Sequence, residues 1–129
     1  MKKLAPQWIV DNLKETIQFY KENLGFEIDW QGTLFAMISK GDVTLMIRHL
    51  QEGNLKRPNR TPFTQSGWHT DGAEAWDAYI WVVDADKLYT ELKQKIVTFI
   101  REIQDSVYGI RDFEIDVNNG YILCFGHTL

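Results

Sequence analysis

The sequence predicts an α+β fold: two βαβββ modules in tandem, their strands forming a curved mixed sheet around one cleft. Three observations predict it. First, the opening is doubled. Trp8-Ile9-Val10-Asp11-Asn12-Leu13 and Trp81-Val82-Val83-Asp84-Ala85-Asp86 each join an apolar strand to an acidic residue and then to an amphipathic helix. Second, each helix is followed by three strand-like runs. Third, the copies keep nearly constant spacing, 73 positions at the opening Asp (84 − 11) and 78 at the closing His (127 − 49).

The elements follow in order. Ala5 to Val10 reads as a short strand. Asn12 can cap a helix, with Glu15 completing a capping box. Leu13, Ile17, Tyr20 and Leu24 then form one apolar helical stripe, and Gly25 stands where a left-handed C-terminal residue is wanted. Phe26 to Trp30, Leu34 to Ser39 and Val43 to His49 read as strands, the last two joined by the turn Lys40-Gly41-Asp42. In the second copy Ala78 to Val83 is a strand. Asp84 or Asp86 opens a helix whose stripe is Leu88, Leu92 and Ile96. Val97 to Ile103, Ile110 to Val117 and Tyr121 to Gly126 are strands, the last pair joined by Asn118-Asn119-Gly120.

The modules run from about residue 4 to 50 and from about 77 to 127. Between them, residues 51–76 hold Gly53, Pro58, Pro62, Gly67 and Gly72 among mostly polar neighbours. A connector of this length in a compact domain is more often functional than idle. Its Lys56, Arg57, Arg60, Trp68 and His69 are placed to close over a ligand, or else it is a plain linker.

At 129 residues the chain is one domain's worth. The apolar and charged fractions, 44% and 25%, are those of an ordinary globular protein. Five Trp, five Tyr and seven Phe are more than such a core needs. The net charge of −4 argues against general nucleic-acid binding, which needs a basic face. Cys124 is the single cysteine, which excludes an internal disulfide and a Cys-rich zinc module. Neither a signal peptide nor a membrane span is legible, so the expected location is the cytoplasm, with no nucleic acid and no membrane as partners.

The run Val10-Asp11-Asn12-Leu13, with Phe19-Tyr20-Lys21-Glu22-Asn23-Leu24-Gly25-Phe26 after it, resembles the opening of the vicinal oxygen chelate superfamily. This is the group of glyoxalase I, extradiol dioxygenases, fosfomycin-resistance thioltransferases and bleomycin-resistance proteins. The tail Arg111-Asp112-Phe113-Glu114-Ile115-Asp116-Val117-Asn118-Asn119-Gly120-Tyr121 is similar to the family's closing motif, with Val117 in place of its usual Pro. Leu34-Phe35-Ala36 through Val43, and Ala78 through Asp84, look most like bleomycin-resistance proteins. That resemblance implies a homodimer that sequesters a drug and does no chemistry on it.

It also implies where a divalent metal would be held. The family's first ligand stands seven residues before the helix-opening Asp, here Leu4, with Asp77 as its counterpart. The third is four residues after the turn Gly, here Cys124, with Met46 as its counterpart. Leu4 and Met46 supply no hard ligand, and Asp77 with Cys124 makes a poor site, since catalytic sites present three protein ligands. No metal, no cofactor and no catalytic residue are therefore expected. The alternative is a divergent metal-dependent lyase, dioxygenase or thioltransferase drawing on Asp77, Cys124 or His69.

Strand alternation then sorts the side chains. If Leu4 and Asp77 stand at metal positions, Trp8 shares the face of the first, and Tyr79 and Trp81 that of the second. Arg48 goes with Met46, and Arg111 with Phe113. The expected ligand-binding set is Trp8, Met46, Arg48, Asp77, Tyr79, Trp81, Arg111 and Phe113, a largely apolar lining with a few polar groups. A planar or cationic small molecule suits it. The competing readings are a concave face filled by its own aromatics, or one buried in a dimer.

Overall fold

The computed structural model describes residues 1–51 and 76–129. The expectations for Lys56, Arg57, Arg60, Trp68 and His69 lie outside the described residues. The chain divides into two compact units, Met1–Ala75 and Trp76–Leu129. The first holds β1 (Gln7–Val10), α1 (Leu13–Leu24), β2 (Glu27–Gln31), β3 (Phe35–Lys40) and β4 (Val43–His49). The second holds β5 (Ala78–Trp81), α2 (Ala85–Lys93), β6 (Thr98–Asp105), β7 (Ile110–Val117) and β8 (Tyr121–Thr128). Each is a βαβββ module with a four-stranded sheet, in the order β1-β4-β3-β2 and β5-β8-β7-β6. The first strand of each runs parallel to the last, and the other pairs are antiparallel.

In the first unit, Leu13, Ile17, Tyr20 and Leu24 bury the inner face of α1, and Gly25 ends the helix at φ 71°. Only a residue without Cβ adopts that conformation without strain. The stripe lies on Trp8, Val10, Ala36, Ile38, Leu45 and Ile47, all fully or nearly fully buried. In the second unit, α2 packs on β7 and β8. Its stripe is shorter than the sequence suggests. Leu92 is buried, but the helix stops at Lys93 and Ile96 is exposed beyond it. Among the described residues no apolar partner awaits Ile96, so the helical spacing there is coincidental. Among the described residues, no helix is long and apolar enough to cross a membrane.

The helix caps correct the alignment of the copies. Asn12 accepts the Glu15 N–H at 3.1 Å, and Asp84 accepts the Lys87 N–H at 2.9 Å. The equivalent of Asp84 is thus Asn12 rather than Asp11, and the offset at the opening is 72 (84 − 12). Either Asn12→Ala or Asp84→Ala is expected to cost about 1 kcal/mol, read as a shift in urea midpoint at unchanged slope.

The slip of one residue reverses faces, because side chains alternate with period two. Trp8 pairs with Ile47, and Trp81 pairs with Gly126. With His49 aligned to His127, Ile47 matches Phe125, which pairs with Ile80. Trp8 is therefore the counterpart of Ile80, and Trp81 that of Ile9. The two Trp residues are not equivalent.

Candidate functional site

Each sheet has a helix face and a far face. On the helix face of the first unit, Trp8 Nε1 donates to the Tyr20 hydroxyl at 3.0 Å, and both residues are buried. The expectation that Trp8 shares a face with Met46 is corrected: Met46 pairs with Gln7 and Met37. Arg48 follows on the same far face. Its Nε donates to Gln7 Oε1 at 3.2 Å, and its guanidinium stands 5.7 Å over the Phe35 ring. Trp30 extends this face beside Phe35, with ring centroids 6.0 Å apart and 56% of its surface exposed. Among the described residues, the far face of the first unit is thus mainly apolar, with one cation.

In the second unit, Phe113 and Arg111 also prove to lie on the helix side. Phe113 is fully buried, stacked on Phe125 at 5.5 Å and 5.4 Å from the ring of Tyr89 on α2. Arg111 bridges Asp105, at 2.6 and 2.8 Å, and Asp86 of α2, at 3.3 Å. The hydrogen bonds it donates to Asp105 first, then to Asp86, hold its guanidinium above its ordinary pKa. Both residues thus face the helix-sheet core or its rim.

Tyr79 and Trp81 do take the far face, paired with Cys124 and Gly126. With Trp76 they make a ladder along β5. Trp76 and Tyr79 meet edge to face at 5.5 Å, and Tyr79 and Trp81 lie 4.9 Å apart. Trp81 is 61% exposed. The Tyr79 ring reaches over β8 so that its hydroxyl donates to Asp112 Oδ2 at 3.2 Å. Gly126 makes this approach possible, since a Cβ there would strike the Tyr79 hydroxyl and stand 2.7 Å from Asp112 Cβ. Burial first, then the Asp112 charge, pushes the Tyr79 phenol above its usual pKa, so it stays protonated as a donor.

Three residues that the sequence reading missed complete this face. Arg101 on β6 reaches across β7, donating from Nε to Glu114 Oε1 at 3.0 Å and from Nη2 to Asp112 Oδ1 at 2.8 Å. Nη1 donates to the Asp112 carbonyl at 3.3 Å, and Nη2 also approaches Cys124 Sγ at 3.8 Å. The side chains of Asp112 and Glu114 are 6% and 7% exposed. Burial opposes the charge of Arg101, but the hydrogen bonds of Asp112 and Glu114 outweigh it and raise its pKa. A signal for this set stands in β7: Asp112, Glu114 and Asp116 alternate with the apolar Phe113, Ile115 and Val117. That period of two assigns the apolar residues to the core and the acids to the other face.

The family's metal positions do not fit a metal. With Asn12 rather than Asp11 as the counterpart of Asp84, the first position moves from Leu4 to Ala5, and neither side chain carries a donor atom. Met46 offers a thioether. Asp77 accepts the Ile122 N–H at 2.8 Å, and fully buried Cys124 lies beside the Arg101 cation. Among the described residues, the group with metal-like spacing is Asp84, Asp86 and His127. All three have structural duties there. Asp84 caps α2, His127 Nδ1 accepts the Ala85 N–H at 2.8 Å, and Asp86 pairs with Arg111.

The fold has many relatives. TioX from Micromonospora sp. ML1 is 15% identical, with a TM-score of 0.75 over 100% of both chains. A glyoxalase/bleomycin resistance protein/dioxygenase from Alicyclobacillus acidocaldarius is 15% identical, with a TM-score of 0.73 over 99% of this chain and 92% of that one. The bleomycin-binding protein of Streptomyces verticillus, complexed with copper(II)-bleomycin, is 20% identical, with a TM-score of 0.65 over 99% of this chain and 95% of that one. No curated protein matches the chain. The model of the Glyoxalase/Bleomycin resistance protein/Dioxygenase superfamily matches residues 6–125, and the chain belongs to that superfamily.

Proposed function

We propose that this protein is a non-catalytic binding protein of the bleomycin-resistance type, a homodimer that sequesters a planar or cationic small molecule. The observation that carries the reading is the ladder of Trp76, Tyr79 and Trp81 on a sheet face turned away from the helix, with Trp81 largely exposed. An aromatic side chain left in water forfeits the burial that usually justifies it, and a flat ring laid on it restores that gain. The donor set at the family's metal positions supports binding without metal chemistry. The bleomycin complex of a structural relative supports a drug-like ligand.

Titration with bleomycin and other planar drugs, followed by Trp fluorescence, tests the reading. Quenching is expected, and Trp81→Ala should weaken binding about tenfold through lost stacking. Because Trp81 is mostly exposed, the same change should move unfolding stability by no more than about 0.5 kcal/mol. Absence of quenching by every planar ligand at high micromolar concentration would reject the proposal. Sedimentation as a dimer is expected.

A further inference from the structure

We propose that Glu114 anchors a cationic nitrogen of the ligand, so that the site selects planar cations over neutral rings of the same shape. The inference rests on the reading above that the ladder takes a ring.

Asp112 and Glu114 are nearly fully buried, yet they lie on the face away from the helix core. A buried ion set of this kind is weak evidence for stability, since desolvation offsets most of its attraction. Its charges do not cancel. Two carboxylates face one guanidinium, and Asp116 lies two residues further along the same face of β7. The oxygens are unequally engaged. Asp112 gives Oδ1 to Arg101 and Oδ2 to Tyr79, whereas Glu114 gives Oε1 to Arg101. Among the described residues, Glu114 Oε2 accepts no hydrogen bond. A carboxylate oxygen that no described residue engages, at the edge of a nearly buried ion set, favours an N–H donor that carries positive charge.

The placement suits one molecule spanning both features. In the order β5-β8-β7, the ladder and Glu114 are separated only by β8, a distance of about 10 Å at two strand spacings. Cys124 and Gly126 are the small residues of β8 on this side, and the Arg101 guanidinium and the Tyr79 ring lie against them, so a ligand rests on those two side chains. A fused ring system with an amine or ring N–H at its edge covers that span. Arg101 acts as a positioning residue, fixing Oε1 so that Oε2 is presented.

The test compares two tricyclic probes of one shape, cationic proflavine and neutral acridone, by equilibrium dialysis with the full-length protein. Proflavine is expected to bind at least about tenfold more tightly, as one charge-assisted hydrogen bond would give, with the preference shrinking as salt rises. In Glu114→Gln, which keeps the shape and removes the charge, the ratio of the two affinities should fall toward one. The ratio measured on the unmodified protein carries the proposal even if that variant folds poorly. Equal binding of both probes overturns the cation anchor and leaves ring binding standing. Binding of neither overturns both readings. A preference retained in Glu114→Gln removes Glu114 as its source.

Discussion

Arg101→Ala is expected to destabilise the fold by about 3–5 kcal/mol, the cost of leaving buried carboxylates without their counter-charge. Asp112 and Glu114 are 6% and 7% exposed, and Arg101 supplies both of their ionic partners. Removing the guanidinium also removes the donor to the Asp112 carbonyl. Guanidinium chloride unfolding reads the loss. The triple change Arg101→Met, Asp112→Asn, Glu114→Gln should recover most of it, because no uncompensated charge then remains. That recovery separates an ion set maintained for a ligand from one that holds the fold together. A loss below about 1 kcal/mol in Arg101→Ala would mean that water reaches and screens these carboxylates, and the site would have to be reassigned.

Phe113→Ala should cost about 3–5 kcal/mol and lower Tm by on the order of 10–20 °C. Phe113 is fully buried, with Phe125, Tyr89 and Phe99 as ring neighbours at 5.5, 5.4 and 5.9 Å. The deletion leaves a cavity between helix and sheet that those rings fill only in part. Phe113→Leu, which conserves most of the volume, should cost less than half as much and retain ligand binding. Thermal unfolding measured beside Trp-quenching titrations separates core from lining. Unchanged stability with lost binding in Phe113→Ala would return this residue to the site.

Much of the architecture was legible because it depends on local signals. The α1 stripe from Leu13 to Leu24, the turn glycines Gly25, Gly41 and Gly120, and the spans of β4 and β7 all rest on periodicity or positive φ. The family resemblance lay in the same segments. What local signals do not carry is the phase of the alternation. The strand β1 is four residues long, and Trp8 is as apolar as Ile9, so hydrophobicity alone does not say which of them faces α1. Aligning Asp84 with Asp11 rather than with the cap Asn12 puts the phase one residue off and transfers Trp8 from the core to the ligand side. In β7 the alternation of acids and apolar residues carries the phase plainly, and it places Phe113 with the core.

By itself, the sequence determined the doubled module, its helices and turns, its family and the lack of the usual metal donors, because each of these depends on residue identity and short-range spacing. The tertiary structure alone decided which face of β1 meets the helix and which polar groups meet. Arg101 lies 11 residues from Asp112 and 13 from Glu114, and Tyr79 lies 33 from Asp112. The register of β6 against β7, the parallel pairing of β5 with β8 and the bare backbone at Gly126 bring them together. Those are long-range pairings, and no spacing along the chain encodes them.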